Sequence, residues 1–220
     1  MSWWRLFQRE RMAQSEPSMD LDHFPFSHRT NEFATHQPVL YEAAARCTGP
    51  ILELGAGEGS TRLLHAICRA SGRRLVTLDN DANWLRRYEP LRCDWHELRA
   101  VRNWAKALTD PSISSTDWGL IFVDGKPWES RTLAVSLLKE KATYIIVHDC
   151  DYFPVHGIFG RVIAPLNGPR DRGERDYSDT FKSWREYFPL EPWPYPLTGP
   201  PTLLGSQMAE CNIDVDYSRY

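Results

Sequence analysis

Short apolar runs alternate with longer amphipathic segments along the middle of the chain, from residue 50 to residue 150. Each apolar run has the length of one buried strand, and each amphipathic segment repeats its apolar residues at helical spacing. The predicted strands are residues 50–56, 74–80, 96–101, 118–125 and 143–150, and the predicted helices are residues 60–72, 81–91 and 129–142. Strands that alternate with helices require right-handed crossovers, so we predict a doubly wound α/β fold with a mostly parallel sheet and helices on both faces.

Two further segments lie before this alternation. Residues 1–14 combine tryptophan, leucine and phenylalanine with arginine, which predicts a short amphipathic helix. Such a helix could lie on a membrane surface, but its small apolar area favours packing on its own domain, as a lid, or against a second subunit of a homodimer. A second helix is predicted over residues 38–47. We therefore divide the chain into an N-terminal extension, residues 1–32, and one ligand-binding domain, residues 33–220.

Composition limits the class of protein. A chain of 220 residues is long enough for one domain with a sizeable core. Its formal net charge of -3 is not basic enough to indicate a nucleic-acid partner, because phosphate contacts need clustered Lys and Arg. The five cysteines are scattered and form no CxxC pair, which indicates reduced thiols in the cytoplasm rather than disulfides or a structural zinc site. No apolar run approaches the ~18 residues that a membrane span needs.

Polar residues follow each of the five predicted strands. Parallel α/β sheets bind their ligands at the carboxyl ends of the strands, so these residues predict a site along that edge. A single aspartate at a strand end is more often a helix cap or turn former, and the whole series is therefore the informative feature. The series consists of Glu53 to Gly59, Asp79 to Asp81, Asn103 with Trp104, Asp124 to Glu129, and His148 to Asp151.

The glycine loop after the first strand, residues 51–61 (ILELGAGEGST), distinguishes between two cofactors. In the dinucleotide fingerprint G-x-G-x-x-G the third glycine allows close packing and the helix N-terminus faces a pyrophosphate. Here the third place is Ser60, and Glu58 would repel a diphosphate at close range. S-adenosylmethionine carries a sulfonium and an ammonium, which Glu53 and Glu58 tolerate. The charge pattern therefore favours S-adenosylmethionine over a dinucleotide.

The next two strand ends predict nucleoside contacts. Asp79 ends the second strand, where an acidic side chain can accept hydrogen bonds from both ribose hydroxyls. Capping of the following helix is the alternative, and Asp81 is better placed for that cap. Asn103 and Trp104 follow the third strand and could contact adenine through an amide and a ring face. A packing role in the core is an equally good interpretation of Trp104.

Four segments together resemble the motif series of class I S-adenosylmethionine-dependent methyltransferases: residues 51–61, LVTLDND, WGLIFVDG and YIIVHDC. The resemblance spans residues 33–151. Within this class, the sequence is most similar to a group of small bacterial-type methyltransferase-like proteins. It implies a Rossmann-like sheet of seven strands with an antiparallel last strand, for which residues 201–208 are the candidate. The cofactor contacts that follow from the motifs and their neighbours are Glu53, Gly55, Ala56, Gly57, Ser60, Thr61, Asp79, Asn80, Asn103, Trp104 and Asp124.

Methyl transfer is an in-line attack on the methyl carbon of a sulfonium, and a hydroxyl or ammonium acceptor must also lose a proton. The groups that could assist lie at the ends of the fourth and fifth predicted strands. The candidate catalytic residues are Asp124, His148 and Asp149. A buried structural role is the alternative for one of the last two, since neighbouring strand residues point to opposite sides. His36 could close over the site from the N-terminal helix.

A magnesium ion is an open alternative at the same edge. Asp124, Asp149 and Asp151 are oxygen donors that could gather around it. Members of the wider fold that bind a metal here tend to show Asp-Asn or Glu-Asp after the fifth strand, whereas this chain has His148 and Asp149. We therefore assign no metal ligands.

Three functions remain open at this stage. The favoured one is an enzyme of small-molecule biosynthesis that transfers a methyl group to an oxygen or nitrogen of a metabolite and releases S-adenosylhomocysteine. The second is an enzyme of the same fold in which the amino group of the cofactor attacks its own side chain and methylthioadenosine leaves. The third is a binding module without catalysis. Aromatic rings that could stabilise the sulfonium in the second reaction are Trp128, Tyr152, Phe153 and Tyr177.

Overall fold

The computed structural model describes residues 24–150, 176–189 and 200–220 of the chain. The predicted helix over residues 1–14 lies outside these ranges, as do Asp151, Tyr152 and Phe153. The longest helix in the described part, Thr61–Ser71, has 11 residues, and no helix there is long and apolar enough to cross a bilayer.

Seven strands form one mixed sheet at the centre of the described residues. Its order is β3-β2-β1-β4-β5-β7-β6. All neighbouring pairs from β3 to β5 are parallel, and β7 runs antiparallel to both β5 and β6. The predicted sheet of seven strands with an antiparallel last strand is therefore confirmed. The strands are β1 Ile51–Leu54, β2 Leu75–Asp79, β3 His96–Ala100, β4 Trp118–Val123, β5 Ala142–His148, β6 Ser183–Tyr187 and β7 Thr202–Ser206.

Within the described residues, six α-helices connect or flank the strands. They are α1 Gln37–Ala45, α2 Thr61–Ser71, α3 Ala82–Leu85, α4 Trp104–Leu108, α5 Pro111–Ser114 and α6 Glu129–Leu138. Short 3-10 helices cover Glu32–Ala34, Arg86–Leu91, Lys139–Lys141 and Tyr217–Arg219. The predicted helix over residues 81–91 changes to 3-10 geometry at Arg86, in a segment that contains Pro90, which lacks a backbone N–H. The sequence did not predict α4 and α5, whose four or five residues are too short to show a helical period.

Caps fix the helix ends that face the candidate site. The side chain of Asp81 accepts hydrogen bonds from the backbone N–H groups of Asn83 and Trp84, as predicted. The side chain of Asn103 accepts one from Lys106 and begins α4. At the opposite edge of the sheet, Gly72 ends α2 with a left-handed φ of 64°. The strand ends and helix starts along the carboxyl edge are therefore separately fixed by local hydrogen bonds.

Alternate residues of each strand pack into two separate cores, one on each face of the sheet. Leu52 and Leu54 face a core that includes Ala134, Val135 and Leu138 of α6. Ile51 and its neighbours on β2 and β4 face α1 and α2 in the second core. This arrangement confirms helices on both faces. It also means that Glu53, which shares the face of Ile51, enters the second core as an ionisable group.

The glycine loop approaches the end of β4 so closely that only glycine fits at its first position. Gly55 has a φ of 97°, and a Cβ atom on it would lie 2.6 Å from the carbonyl carbon and oxygen of Asp124. The Asp124 N–H donates to the Leu54 carbonyl oxygen at 2.7 Å, which holds the two strand ends together. The glycine loop and Asp124 therefore lie side by side at the carboxyl edge of the sheet.

Replacing Gly55 by alanine should destabilise the fold by about 3 kcal/mol, because the positive φ and the contact with the Asp124 backbone both oppose a side chain. Gly72→Ala is the matched control: Gly72 also has a positive φ, but no atom of the described residues lies within 4 Å of the new Cβ. The control should cost only about 1 kcal/mol. Urea denaturation measures both, and equal costs would contradict the contact with Asp124.

Candidate active site

The glycine loop that follows β1, residues 55–60, is held by three neighbouring elements. The Ala56 N–H donates to Oδ2 of Asp79 at 2.8 Å, and the Ala56 carbonyl oxygen accepts the indole N–H of Trp84 at 2.6 Å. The Gly57 N–H donates to Oγ1 of Thr61 at 2.9 Å. Among the described residues, a Cβ atom on Gly57 would meet only Oγ of Ser60, at 3.3 Å. These residues therefore hold the loop from below and leave space above Gly57.

Glu53 lies beneath this loop and is fully buried. Its carboxylate accepts hydrogen bonds from the hydroxyls of Ser60 at 2.6 Å, Thr61 at 2.9 Å and Thr77 at 2.7 Å. Burial raises the pKa of Glu53 to about 7, against the effect of these three bonds. The structure therefore places Glu53 where it acts on the loop through Ser60 and Thr61. Direct contact between Glu53 and a cofactor stays a prediction.

Asp79 ends β2 beside the loop and is almost fully buried. One carboxylate oxygen accepts the Ala56 N–H, and the other accepts the Asp81 N–H at 2.7 Å. Burial raises the pKa of Asp79, although both backbone bonds oppose that effect. Each oxygen retains acceptor capacity for a further donor, as a ribose hydroxyl would provide. Asn80, the next residue, is exposed at the same edge.

Asn103 and Trp104 have different roles in the fold. Asn103 is exposed, and its side-chain oxygen is used in the cap of α4. Trp104 is buried in the core, and its indole N–H donates to the Lys126 carbonyl oxygen at 2.7 Å. A Cβ atom on Gly125 would lie 3.1 Å from the Trp104 ring. Trp104 thus joins the start of α4 to the loop after β4, and the adenine contacts predicted at both residues remain predictions.

The predicted catalytic residues converge on a residue that sequence reasoning missed, Arg131 of α6. Its guanidinium lies 2.7 Å from Oδ1 of Asp124 and 3.2 Å from Oδ2 of Asp149, and its side chain is 2% exposed. It also donates to the carbonyl oxygens of His148 at 2.6 Å and Gly125 at 3.0 Å. The ring of Trp128 stacks on it, with 3.8 Å between the guanidinium carbon and the ring centroid.

The position of Arg131 in α6 was a usable signal. Arg131, Ala134, Val135 and Leu138 are all buried and recur at helical spacing. An arginine on the apolar stripe of a helix must find partners in the interior, because burial of an unpaired charge is costly. The stripe therefore indicates that Arg131 faces the strand ends rather than solvent.

His148 sits behind the two aspartates with its side chain 2% exposed. Its Nε2 lies 3.1 Å from the hydroxyl of Thr35, which itself donates to the Pro200 carbonyl oxygen at 2.9 Å. A hydroxyl has one proton, so Nε2 of His148 must be the donor to Thr35. Nδ1 then faces Oδ2 of Asp124 at 3.4 Å and Oδ2 of Asp149 at 3.6 Å. Two carboxylates beside Nδ1 favour a second proton there.

The pKa values of this cluster follow from the same contacts. Burial alone would lower the pKa of His148, but Asp149 and Asp124 raise it above its usual value. Burial would raise the pKa of Asp124, but Arg131 and His148 hold it well below its usual range. Arg131 and a protonated His148 thus keep Asp124 ionised. Of the three predicted catalytic residues, Asp124 and Asp149 reach the surface, with 21% and 15% of their side chains exposed.

His36 is buried beside this cluster instead of closing over it from the N-terminal helix. Its ring lies 4.5 Å from that of His148 and 4.6 Å from that of Phe122, centroid to centroid. Burial and the positive charge of His148 lower its pKa. Within the described ranges, neither ring nitrogen of His36 has a hydrogen-bond partner. His36 is therefore a neutral imidazole packed behind the site.

Asp124, His148 and Asp149 each offer one atom that could bind a metal, and these atoms lie within 4.8 Å of one another. Magnesium prefers six oxygen ligands, whereas this group includes one nitrogen. Arg131 and His148 already neutralise both carboxylates. The cluster is therefore a poor fit for magnesium, and we assign no step to a metal.

No family model and no curated protein sequence matches the chain. A solved methyltransferase from Geobacter sulfurreducens is similar in structure, with 13% identity, 95% of this chain and 98% of that chain covered, and a TM-score of 0.48. An rRNA methylase from Streptococcus thermophilus shares 14% identity, with 78% and 95% covered and a TM-score of 0.46. An RNA methyltransferase from Salinibacter ruber in complex with S-adenosyl-L-homocysteine shares 19% identity, with 82% and 97% covered and a TM-score of 0.43.

These similarities concern the fold alone, and the predicted sheet of seven strands with an antiparallel last strand rests on the observed strand order. One prediction is wrong: nucleic acid is not excluded as a partner, since two of the three structures are RNA methyltransferases by name. The exclusion rested on the net charge of the whole chain, which averages over the surface. Phosphate binding depends on local charge instead, and residues 62–102 carry nine arginines and five acidic residues.

Replacing Arg131 by methionine should destabilise the protein by about 3–5 kcal/mol, because the two carboxylates of Asp124 and Asp149 would be left with His148 as their one remaining cation in the cluster. Arg131→Lys, which keeps the charge but not the branched contacts, should cost less. Arg62→Met, at an exposed position of α2, is the control and should change stability by less than about 0.5 kcal/mol. Equal stability of Arg131→Met and the wild type in urea denaturation would refute the buried ion cluster.

Glu53 should make stability fall as pH rises through neutrality. Its folded pKa is about 7 and its ordinary value is 4.5, so the folded state binds the extra proton between these values. That contribution is fully present below the unfolded pKa and is lost as pH rises through the folded one. The stability advantage of the wild type over Glu53→Gln should therefore shrink by about 2 kcal/mol between about pH 5 and about pH 8.

Glu97→Gln provides the control for this measurement. Glu97 is a partly exposed carboxylate of β3 whose pKa is lowered by Arg99 and Arg74, although burial opposes them. It is therefore already ionised over the whole interval, and the difference between wild type and Glu97→Gln should stay constant. A difference for Glu53→Gln that is equally constant would show that Glu53 does not titrate near neutrality.

Proposed function

We propose that this chain is an S-adenosylmethionine-dependent methyltransferase that acts on an oxygen or nitrogen of a small-molecule acceptor. The observation that carries the proposal is the convergence of the glycine loop, Asp79 and Asp124 at one edge of a class I methyltransferase sheet. When bound there, the cofactor would supply an electrophilic methyl group on a sulfonium. The chain itself has to bind this cofactor, align an acceptor and remove a proton.

The residues at this edge suit a nucleoside with positive charge. Asp79 has acceptor capacity for ribose hydroxyls, and the glycine loop is open above Gly57. Glu58 is 67% exposed on the loop, with Arg87 no closer than 3.9 Å. A pyrophosphate would meet Glu58, Asp79 and Asp124 together, which is unfavourable at close range. These three carboxylates would instead attract the ammonium and the sulfonium of S-adenosylmethionine.

Asp124 and Asp149 have different roles toward the acceptor. Asp124 lies 2.7 Å from Arg131 and has a lowered pKa, so it is a weak base and serves as a fixed negative charge. Asp149 is held less tightly, at 3.2 Å from Arg131 and 3.6 Å from His148. We assign to a carboxylate oxygen of Asp149 the removal of the acceptor proton. His148 is too buried to touch an acceptor and acts by orienting both carboxylates.

Release of methylthioadenosine by attack within the cofactor has less support. That reaction would use aromatic rings around the sulfonium. Arg131 already covers one face of Trp128, and the hydroxyl of buried Tyr177 donates to Glu186 at 2.6 Å. Tyr152 and Phe153 lie outside the described residues. The site therefore offers better support for transfer to a separate acceptor.

The test is a pair of assays on the purified chain. Calorimetry should show S-adenosylmethionine and S-adenosylhomocysteine binding, without competition by NADH. Asp79→Ala should weaken binding at least about tenfold, because two charge-assisted hydrogen bonds to the ribose are lost. Asp81→Ala is the matched control: its side chain only caps α3, so the affinity should stay within about twofold of wild type.

The product distinguishes the functions. Incubation with a pool of small metabolites should yield S-adenosylhomocysteine, and incubation of enzyme and cofactor alone should yield no methylthioadenosine. Methylthioadenosine without an acceptor would instead support the displacement within the cofactor. Methyl transfer to RNA but not to metabolites would reject the small-molecule acceptor, and absence of any cofactor binding would reject the methyltransferase.

A further inference from the structure

A continuous chain of side-chain hydrogen bonds runs beneath the sheet edge from α2 to the glycine loop. Nδ1 of His65 lies 2.9 Å from Nδ1 of His96, and Nε2 of His96 lies 3.0 Å from Oγ1 of Thr77. Thr77 lies 2.7 Å from Oε2 of Glu53. Oε1 of Glu53 then bonds the hydroxyls of Ser60 and Thr61. His65 is half-buried, whereas the three links that follow are fully buried.

The strand register explains why these residues meet. Glu53 of β1 pairs with Thr77 of β2, and Leu75 of β2 pairs with His96 of β3. Leu75 and Thr77 are two residues apart, so their side chains and those of Glu53 and His96 share one face of the sheet. That face packs against α2, which carries His65. The polar chain therefore crosses three strands inside an otherwise apolar core.

Each hydrogen bond in this chain holds one proton between its two atoms, so all the bonds must point in the same direction. When Glu53 is ionised it accepts from Thr77, Thr77 accepts from Nε2 of His96, and Nδ1 of His96 accepts from His65. When Oε2 of Glu53 carries a proton, it donates to Thr77 and every one of these bonds reverses. His96 then carries its proton on Nδ1 instead of Nε2. The two arrangements use the same atoms at the same distances.

The direction of the chain affects the loop. The hydroxyl of Thr61 donates to Glu53 and accepts the Gly57 N–H at 2.9 Å. Hydrogen bonds to an ionised carboxylate are roughly twice as strong as those to a neutral acceptor. Ser60 and Thr61 are therefore held more firmly while Glu53 is ionised, and Gly57 with them.

We propose that His96 is a positioning residue for the cofactor loop, which acts through Thr77 and Glu53 in a reversible hydrogen-bond chain that starts at His65. This inference rests on the proposed function, because it takes residues 55–60 to be the cofactor loop. In this proposal, His65 and His96 couple the binding of a proton to the strength with which the cofactor loop is held.

The burial and the charges around Glu53 and His96 predict that the hydrogen-bond chain reverses its direction near neutral pH. Burial is the main cause that raises the pKa of Glu53 to about 7, and the charge of Asp79 acts in the same direction. Burial is also the main cause that lowers the pKa of His96 to about 4, and the charges of His65 and Arg92 act in the same direction. The proton that enters on acidification therefore resides on Glu53 and not on His96. The other titratable groups that face Glu53 are Cys68 of α2 and Tyr88 of the 3-10 helix at Arg86–Leu91.

Nitrogen-15 NMR of the histidine rings in the full chain tests the reversal without any cofactor. His96 should change from the Nδ1–H tautomer at about pH 6 to the Nε2–H tautomer at about pH 8, and the Nδ1 proton should move between His96 and His65. Glu53→Gln should hold His96 in the Nδ1–H tautomer throughout, because the amide NH2 would donate to Thr77. Thr77→Val keeps the shape of the residue but cuts the chain, so the change should vanish.

A single tautomer of wild-type His96 over this whole interval would overturn the proposal, and this outcome needs no variant to fold. Persistence of the change in Thr77→Val would overturn it as well. Circular dichroism and thermal unfolding of each variant verify that the fold is intact. Leu98, which follows on the same face of β3, provides the control substitution Leu98→Val, which should leave the tautomer change in place.

Calorimetry with S-adenosylhomocysteine tests the effect on the loop. The wild-type Kd should be about fivefold lower at about pH 8 than at about pH 6, and the Kd of Glu53→Gln should not vary with pH. His96→Gln, whose side chain cannot change tautomer, should have a profile with a midpoint different from that of the wild type. A wild-type Kd that is constant with pH would overturn the link to the loop. If the wild type does not bind S-adenosylhomocysteine at all, the proposed function fails. The tautomer measurement still tests the reversible hydrogen-bond chain in that case.

Discussion

The buried guanidinium of Arg131 is the charge on which the carboxyl edge of the sheet depends. It contacts the carboxylates of Asp124 and Asp149 and the carbonyl oxygens of Gly125 and His148, and almost none of it reaches water. A buried arginine persists only when its donors are satisfied, so each of these contacts constrains the others. The loops after β4 and β5 are therefore joined through α6. Loss of one member leaves the charges of the remaining members unpaired.

Glu53 organises the same edge from the opposite face of the sheet. Arg131 uses opposite charges, whereas Glu53 is surrounded by the hydroxyls of Ser60, Thr61 and Thr77. This difference determines how the charge of each carboxylate depends on pH. Ionic partners hold Asp124 ionised, while hydroxyls alone leave the pKa of Glu53 near neutrality. One face thus supplies a charge that does not change at physiological pH, and the other supplies one that can.

The sequence predicts the sheet, its alternation with helices and the polar edge, because strand length, helical period and glycine position are local properties. It also predicts the cap at Asp81 and the antiparallel strand near residues 201–208. It does not reveal which polar residues meet across the sheet. His96 was only the first residue of a weak strand, and its contact with Thr77 depends on strand register. The burial of His148 likewise depends on Thr35 and Pro200, which are distant in the chain.

The arrangement of charge by depth explains how a partly buried edge stays negative. Two carboxylates this close, without counterions, would share a proton, as like charges in a low dielectric do. Arg131 and His148 lie beneath Asp124 and Asp149 and offset their negative charge, but they are themselves buried. A ligand that approaches from solvent therefore meets the exposed parts of the carboxylates before it meets the cations behind them. Such an edge favours a positively charged ligand even though the cluster as a whole is close to neutral.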